Sequence, residues 1–303
     1  MIEKFNVPIN TISWINLPDV NMGFAKKVVY PETIEELVGL SRTLYTSDKR
    51  IYVLGHTSNS YFESTFRSDL LIITNQLNGY TINDDCILCE CGAPIKQIAK
   101  EAVKLGLENY AGLCDLPGTV GAAVYGNAGC YGCEMGDIVM SVEVLQPDGK
   151  IRIYHNNEIN FQRRSSNFKN GIIPGIILRV VLKKKYGDKS KILADAKIAH
   201  NLRLTTQPSP YNNLGSCFMS GNKKFHYRLI QFFARKLRFI LPKKYRQIDI
   251  ELFLLGHHDL TVYLFDMNRF IWKDNKSIQA FKQYVKLYKR MHTNAELEIN
   301  IFH

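Results

Sequence analysis

The sequence predicts an α+β fold, and three observations carry the prediction. Short apolar runs alternate with amphipathic stretches through the first third; Gln146-Pro147-Asp148-Gly149 sits between two strand-like runs; and the last third turns helical and basic. A chain of 303 residues is long enough for a large core and for two or three domains. With 46% hydrophobic and 22% charged residues it has an ordinary globular composition. No apolar run approaches the roughly 20 residues of a membrane span. The opening Met1-Ile2-Glu3-Lys4-Phe5-Asn6 lacks the basic and apolar sections of a signal peptide, so a cytoplasmic protein is expected.

Taken in order, Ala25 to Val29 reads as extended, and Thr33 is a plausible N-cap for a helix with Glu35 and Glu36 in its first turn and Ile34, Leu37 and Leu40 on one face. Ile51 to Leu54 forms a strand that stops at Gly55-His56-Thr57-Ser58-Asn59, a small polar loop whose N–H groups and hydroxyls suit a pyrophosphate. Leu70 to Thr74 and Ile87 to Cys91 are further strands. Pro94 to Leu105 is an amphipathic helix burying Ile95, Ile98, Ala99 and Val103. Ser141 to Leu145 and Lys150 to Tyr154 flank the Asp-Gly hairpin signal, and Gly175 to Lys183 is another apolar strand. Beyond Ala194 the chain becomes helical, with Gln207-Pro208-Ser209-Pro210 as a breaker, helices over Phe225 to Phe239 and Ser277 to Met291, and a closing strand over Leu297 to Phe302. The expected domains are 1–75, 76–193 and 194–303.

The formal charge of +11 arises from 39 Lys and Arg against 28 Asp and Glu, with clusters at Lys183-Lys184-Lys185, Arg235-Lys236-Leu237-Arg238 and Lys243-Lys244-Tyr245-Arg246. A solvated basic surface accounts for such runs; attraction of anions such as nucleotides, nucleic acid or acidic lipid is the alternative. Seven cysteines are an odd number, and free, mostly buried thiols are expected. The single CxxC at Cys130 and Cys133 has no second pair to complete a zinc site, and the pair His257-His258 lacks further ligands, so no metal is expected.

The most informative stretch runs from Leu116 to Gly132, with Gly118, Gly121, Gly126, Gly129 and Gly132 among small side chains and Asn127 and Tyr131 as the sizeable polar groups. Such glycine density suits tight turns and close approach of backbone N–H groups to a ligand, which makes it a cofactor cradle. Neither GxGxxG after the first strand nor a Walker lysine is present.

These motifs together resemble the UDP-N-acetylenolpyruvoylglucosamine reductase (MurB) family. Pro117-Gly118-Thr119-Val120-Gly121-Ala122 and Asn127-Ala128-Gly129-Cys130-Tyr131-Gly132 are similar to the family's PGTVGGA and NAGAYG segments, which line FAD. Gly55-His56-Thr57-Ser58-Asn59 resembles its GGGSN pyrophosphate loop, with His56 and Thr57 in place of two glycines. The resemblance implies a two-part FAD-binding module of the PCMH/VAO-like type plus a smaller α/β substrate domain, with FAD and NADPH as cofactors. It further implies Arg164, within Phe161-Gln162-Arg163-Arg164-Ser165-Ser166-Asn167-Phe168, as the group that holds a carboxylate and steadies an enolate. Ser216, in Gly215-Ser216-Cys217-Phe218, is implied as the proton donor, and Glu298, in Glu296-Leu297-Glu298-Ile299-Asn300, as the catalytic carboxylate.

The departures are specific. Met219 and Ser220 replace the usual Lys and Asn, Asn300 stands where arginine is usual, Asp115 stands for a glycine, and a third-domain segment of the form GGAxVSxKHANFxxN is missing. The activity implied is reduction of the enolpyruvyl group of a UDP-sugar by a monomeric enzyme with no nucleic-acid partner. A flavoprotein of this fold acting on another substrate and a non-catalytic nucleotide-binding homologue stay open. So does covalent attachment of FAD at His56, as in some flavin enzymes of related fold.

Overall fold

A computed structural model describes residues 1–15, 17, 20–40, 49–208, 212–219 and 221–303. Ser209, Pro210 and Ser220 lie outside them. The chain is α+β, as expected, and divides into two compact units. The first comprises Met1–Val7, Phe24–Thr57 and Arg67–Thr206; the second comprises Pro8–Gly23, Ser58–Phe66 and Gln207–His303.

In the first unit, a mostly parallel sheet orders the strands Ile2–Pro8, Phe24–Tyr30, Leu70–Ile73 and Ile51–Leu54, with Arg67–Ser68 beside Phe24–Tyr30. Helix Ile34–Gly39 begins as its sequence demands: the Thr33 hydroxyl accepts from the Glu36 N–H at 3.2 Å, while Ile34 and Leu37 are buried. An antiparallel sheet follows, ordered Ile151–His155, Val139–Leu145, Ile176–Lys183, Cys86–Glu90 and Tyr80–Ile82. Its hairpin closes over the Asp148-Gly149 signal, where Gly149 takes a φ of 79° and donates to the Gln146 carbonyl at 2.9 Å. Helix Ile95–Leu105 buries Ile95, Ile98, Ala99, Ala102 and Val103, and ends on Gly106 in the left-handed region.

The second unit is built around aromatic rings, with Tyr61, Phe62, Phe66, Phe218, Phe270, Trp272 and Phe281 almost wholly buried. Tyr61 stacks on Trp272 at 4.8 Å and Phe218 on Tyr288 at 4.0 Å. Helices Phe225–Ile240, Gln247–Leu254 and Ser277–Met291 surround short strand pairs.

Two expectations differ from this architecture. Helix Lys189–Thr206 runs unbroken across the expected boundary at 193/194 and packs on Ile95–Leu105, so the division falls at Thr206/Gln207. Residues 8–23 and 58–66 group with the C-terminal residues, the latter through Ser60–Phe62, which pairs in parallel with Asn300–Phe302, a partnership no local signal reveals. The closing strand is likewise two strands. Glu296–Leu297 pairs antiparallel with Phe218–Met219, and Asn300–Phe302 then turns to its other partner.

Candidate active site

The glycine-rich stretch is ordered secondary structure rather than loop. Thr119 caps a six-residue helix, Val120–Tyr125, its Oγ1 accepting from the Ala122 N–H at 3.5 Å. The chain then doubles back, Gly129–Cys130 against Cys133–Glu134, through Tyr131 and Gly132 at φ of 50° and 83°. A Cβ on Gly129 would lie 2.3 Å from the Cys133 carbonyl oxygen, so only glycine lets this hairpin close. Thr119, Gly121, Asn127 and Gly129 are buried, Pro117 and Gly118 are half-buried, and Ala122, Tyr131 and Gly132 are exposed.

The structure brings the two candidate cofactor loops of this unit together. A Cβ on Gly55 would lie 2.3 Å from Thr119 Oγ1, so the Gly55 backbone abuts the first turn of helix Val120–Tyr125. Thr57 is buried with a φ of 55°. The position that resembles a family glycine is thus one that demands glycine's backbone, and threonine meets it at a cost of about 1–2 kcal/mol. His56 is half-buried, and burial lowers its pKa from 6.5, which leaves a neutral imidazole at pH 7.

Asn127, expected to line the cofactor, is committed to protein atoms. Both its amide hydrogens are used, to Glu134 Oε2 and to the Gln162 carbonyl at 2.8 Å each, and its Oδ1 accepts from the Gly136 N–H at 2.8 Å. These bonds fix the loop that carries Arg164. Gln162 and Ser165 exchange backbone hydrogen bonds of 3.0 Å, and Arg164 occupies the turn at a φ of 57°, unfavourable for any residue but glycine. Its Nη2 donates to the Gly129 carbonyl at 2.6 Å, which aims the guanidinium along the cradle. Ser166, passed over in the sequence although it lies in the same motif, is fully buried and donates to the Tyr125 carbonyl at 2.7 Å, anchoring this turn to the helix end.

The remaining candidates belong to the second unit. Glu298 sits where the last strand changes partners: its N–H donates to the Cys217 carbonyl at 2.9 Å, and its carbonyl accepts from Asn59 Nδ2 at 3.1 Å. Ser216 precedes Cys217, so the serine is one residue removed from the backbone bond that joins Glu298 to Cys217. Asn300 donates from its N–H to the Asn59 carbonyl at 2.9 Å. Asn268, also missed in the sequence, holds the serine's strand in register: its carbonyl accepts from the Cys217 N–H at 2.9 Å, while its Oδ1 accepts from the Phe218 N–H at 2.9 Å and its Nδ2 donates to the Phe218 carbonyl at 3.0 Å. Burial pushes the Cys217 thiol up to about 12, so it stays neutral beside Ser216. Half-buried Met219 pairs with Glu296.

A pyrophosphate fits the donor set of the first unit. Neither 55–57 nor 116–132 contains a carboxylate, and both offer hydroxyls and glycine backbone. An adjoining pocket of about 350 Å³ lined by Asn127, Glu134, Asp137, Asn156, Asn157 and Phe161 carries two carboxylates and would repel such a group. Among the described residues no group of three His, Cys, Asp or Glu side chains is arranged to hold a metal ion.

Residues 25–154 match the family described as FAD binding domain. The UDP-N-acetylenolpyruvoylglucosamine reductase of Pediococcus pentosaceus is 29% identical over 208 residues, covering 69% of each chain. That of Lactococcus lactis subsp. cremoris is 28% identical over 231 residues, 76% of this chain and 75% of the relative. The crystal structure of UDP-N-acetylenolpyruvylglucosamine reductase (MurB) from Thermus caldophilus aligns over 100% of both chains with a TM-score of 0.69 and 24% identity. The likeness of fold thus extends beyond the FAD-binding stretch to the whole chain.

Proposed function

We propose that the chain is a member of the UDP-N-acetylenolpyruvoylglucosamine reductase family and that it reduces the enolpyruvyl group of UDP-N-acetylenolpyruvoylglucosamine to UDP-N-acetylmuramate, with NADPH as reductant, as a cytoplasmic monomer serving peptidoglycan precursor synthesis. Residues 55–57 and the 117–132 stretch would hold FAD, which would supply hydride transfer from the nicotinamide to the substrate. Arg164 holds the substrate carboxylate and steadies the negative charge that develops beside it, a task suited to a planar fork already oriented by Gly129. Glu298 orients charge and relays a proton, and Ser216 delivers the proton to the substrate carbon. A serine hydroxyl is a weak acid, and the backbone bond from Glu298 to Cys217, the residue after Ser216, is the observation that carries this reading.

The test is the visible spectrum of the purified protein. Bound flavin should absorb in the blue, bleach on addition of NADPH and recover on addition of the UDP-sugar. Ser216→Ala should bleach normally and turn over about 10²–10⁴-fold more slowly, because only proton delivery depends on the hydroxyl. Unchanged turnover would remove Ser216 from the reaction. A second reading, reduction of a different activated alkene, is favoured by Met219 in the strand beside Glu296, where the family carries lysine. Under that reading NADPH bleaches the flavin and the UDP-sugar fails to restore it.

A further inference from the structure

Helix Phe225–Ile240 is held in the fold by one edge only. Tyr227 and Ala234 are buried, and the Tyr227 hydroxyl donates to Glu251 Oε2 at 2.7 Å. Its apolar face points the other way. Phe225, Leu229, Phe232 and Phe233 recur at three- and four-residue spacing, Phe239 and Ile240 follow seven residues after Phe232 and Phe233, and all are exposed, Phe239 at 90% and Ile240 at 80%. A stripe of this size on a soluble surface marks a contact with something apolar.

Charge says what that something is. Residues 223 to 245 contain eight Lys and Arg and no Asp or Glu, and Arg246 beyond them is paired with Asp249 at 2.6 Å. The eight cations lie beside and within the stripe, where Lys236, four residues after Phe232, places its Nζ 5.7 Å from that ring, and continue into the exposed turn with Lys243, Lys244 and Tyr245. Aromatic and aliphatic side chains on one face, bordered by cations without a compensating acid, are complementary to an interface of acyl chains beneath anionic headgroups. No helix among the described residues is long and apolar enough to cross a membrane, so the contact is one of lying on the surface. We propose that helix Phe225–Ile240 and the turn through Tyr245 dock this protein reversibly on an anionic lipid bilayer.

Vesicle flotation of the full chain tests this. The wild type should float with phosphatidylcholine vesicles containing phosphatidylglycerol, remain unbound with phosphatidylcholine alone, and be released by high salt. The double variant Phe239→Ser, Ile240→Ser should lose at least about tenfold in bound fraction while its far-UV circular dichroism and NADPH oxidation match the wild type, since both side chains already face solvent. Lys243→Glu with Lys244→Glu should lose binding to a similar degree. Three results would overturn the proposal: a wild type that ignores anionic vesicles; a Phe239→Ser, Ile240→Ser variant that binds them as well as the wild type, which would assign the surface to polyanions; or concentration-dependent dimerisation abolished by that variant without vesicle binding, which would assign it to a second copy.

Discussion

The contact between Gly55 and Thr119 can be tested by adding one methyl group. Gly55 is not among the glycines with positive φ, so alanine suits its backbone and would by itself stabilise the fold by about 0.4–1 kcal/mol through the unfolded chain. The contact reverses that sign. The new Cβ would lie 2.3 Å from Thr119 Oγ1 and 3.2 Å from its Cγ2, and Thr119 is 1% exposed with nowhere to swing. Overpacking of this kind costs about 1–3 kcal/mol, and displacing the hydroxyl also loses the cap on Val120–Tyr125, about 1 kcal/mol. The net for Gly55→Ala is about 2.5 kcal/mol of destabilisation, or about 60-fold at tenfold per 1.4 kcal/mol. Thr119→Ala alone should cost about 2 kcal/mol for cap and methyl. The double variant should cost little more than Thr119→Ala, because the clash has gone. Amide hydrogen exchange over residues 116–132 reads these differences locally, and Trp14 and Trp272, both in the second unit, report by fluorescence whether that unit is untouched. Strict additivity in the cycle, or exchange in Gly55→Ala within threefold of wild type, would refute the contact as described.

Two further outcomes follow from the same geometry. Arg164→Gly removes a side chain from a left-handed position, so lost hydrogen bonding and relieved strain should nearly cancel in stability, to within about 1 kcal/mol, while turnover falls about 10²–10³-fold; parallel urea and kinetic titrations check both. His292 is buried against Tyr227 and Tyr288, and burial lowers its pKa from 6.5. The unfolded chain therefore takes up a proton before the folded one does, so stability of the second unit should fall as pH drops below about 6.5. The Trp272 urea midpoint should show this slope, and His292→Phe, which keeps the ring packing, should flatten it.

What could be read from the sequence was local. The Thr33 cap, the Asp148-Gly149 hairpin and the buried face of Ile95–Leu105 each follow from spacings within one turn or one helix, and each is present. The helix Val120–Tyr125 was hidden because its glycines and alanines carry no amphipathic period and its cap shows only as a threonine. Asn127 was legible as a polar group in a small-residue stretch, but not its bonds to Glu134, Gln162 and Gly136, which depend on how the chain returns. Asn268 had only an Asp-x-Asn turn to mark it, and its partners are fifty residues away. The crossover at Glu298 was read as one strand because alternation persists through it, whereas the change of partner is set by Ser60–Phe62.

That last pairing bears on how such proteins can be recombined. A fragment beginning at Gln207 would leave Tyr61, Phe62 and Phe66 behind, and with them the rings that stack on Trp272, Phe281 and Phe302. Grafting substrate preference from a relative by exchanging the C-terminal third would therefore join mismatched halves of one aromatic core. A chimera that carries residues 58–66 along with the C-terminal segment keeps donor rings against donor rings, which makes this nine-residue stretch a necessary passenger in any such transplant.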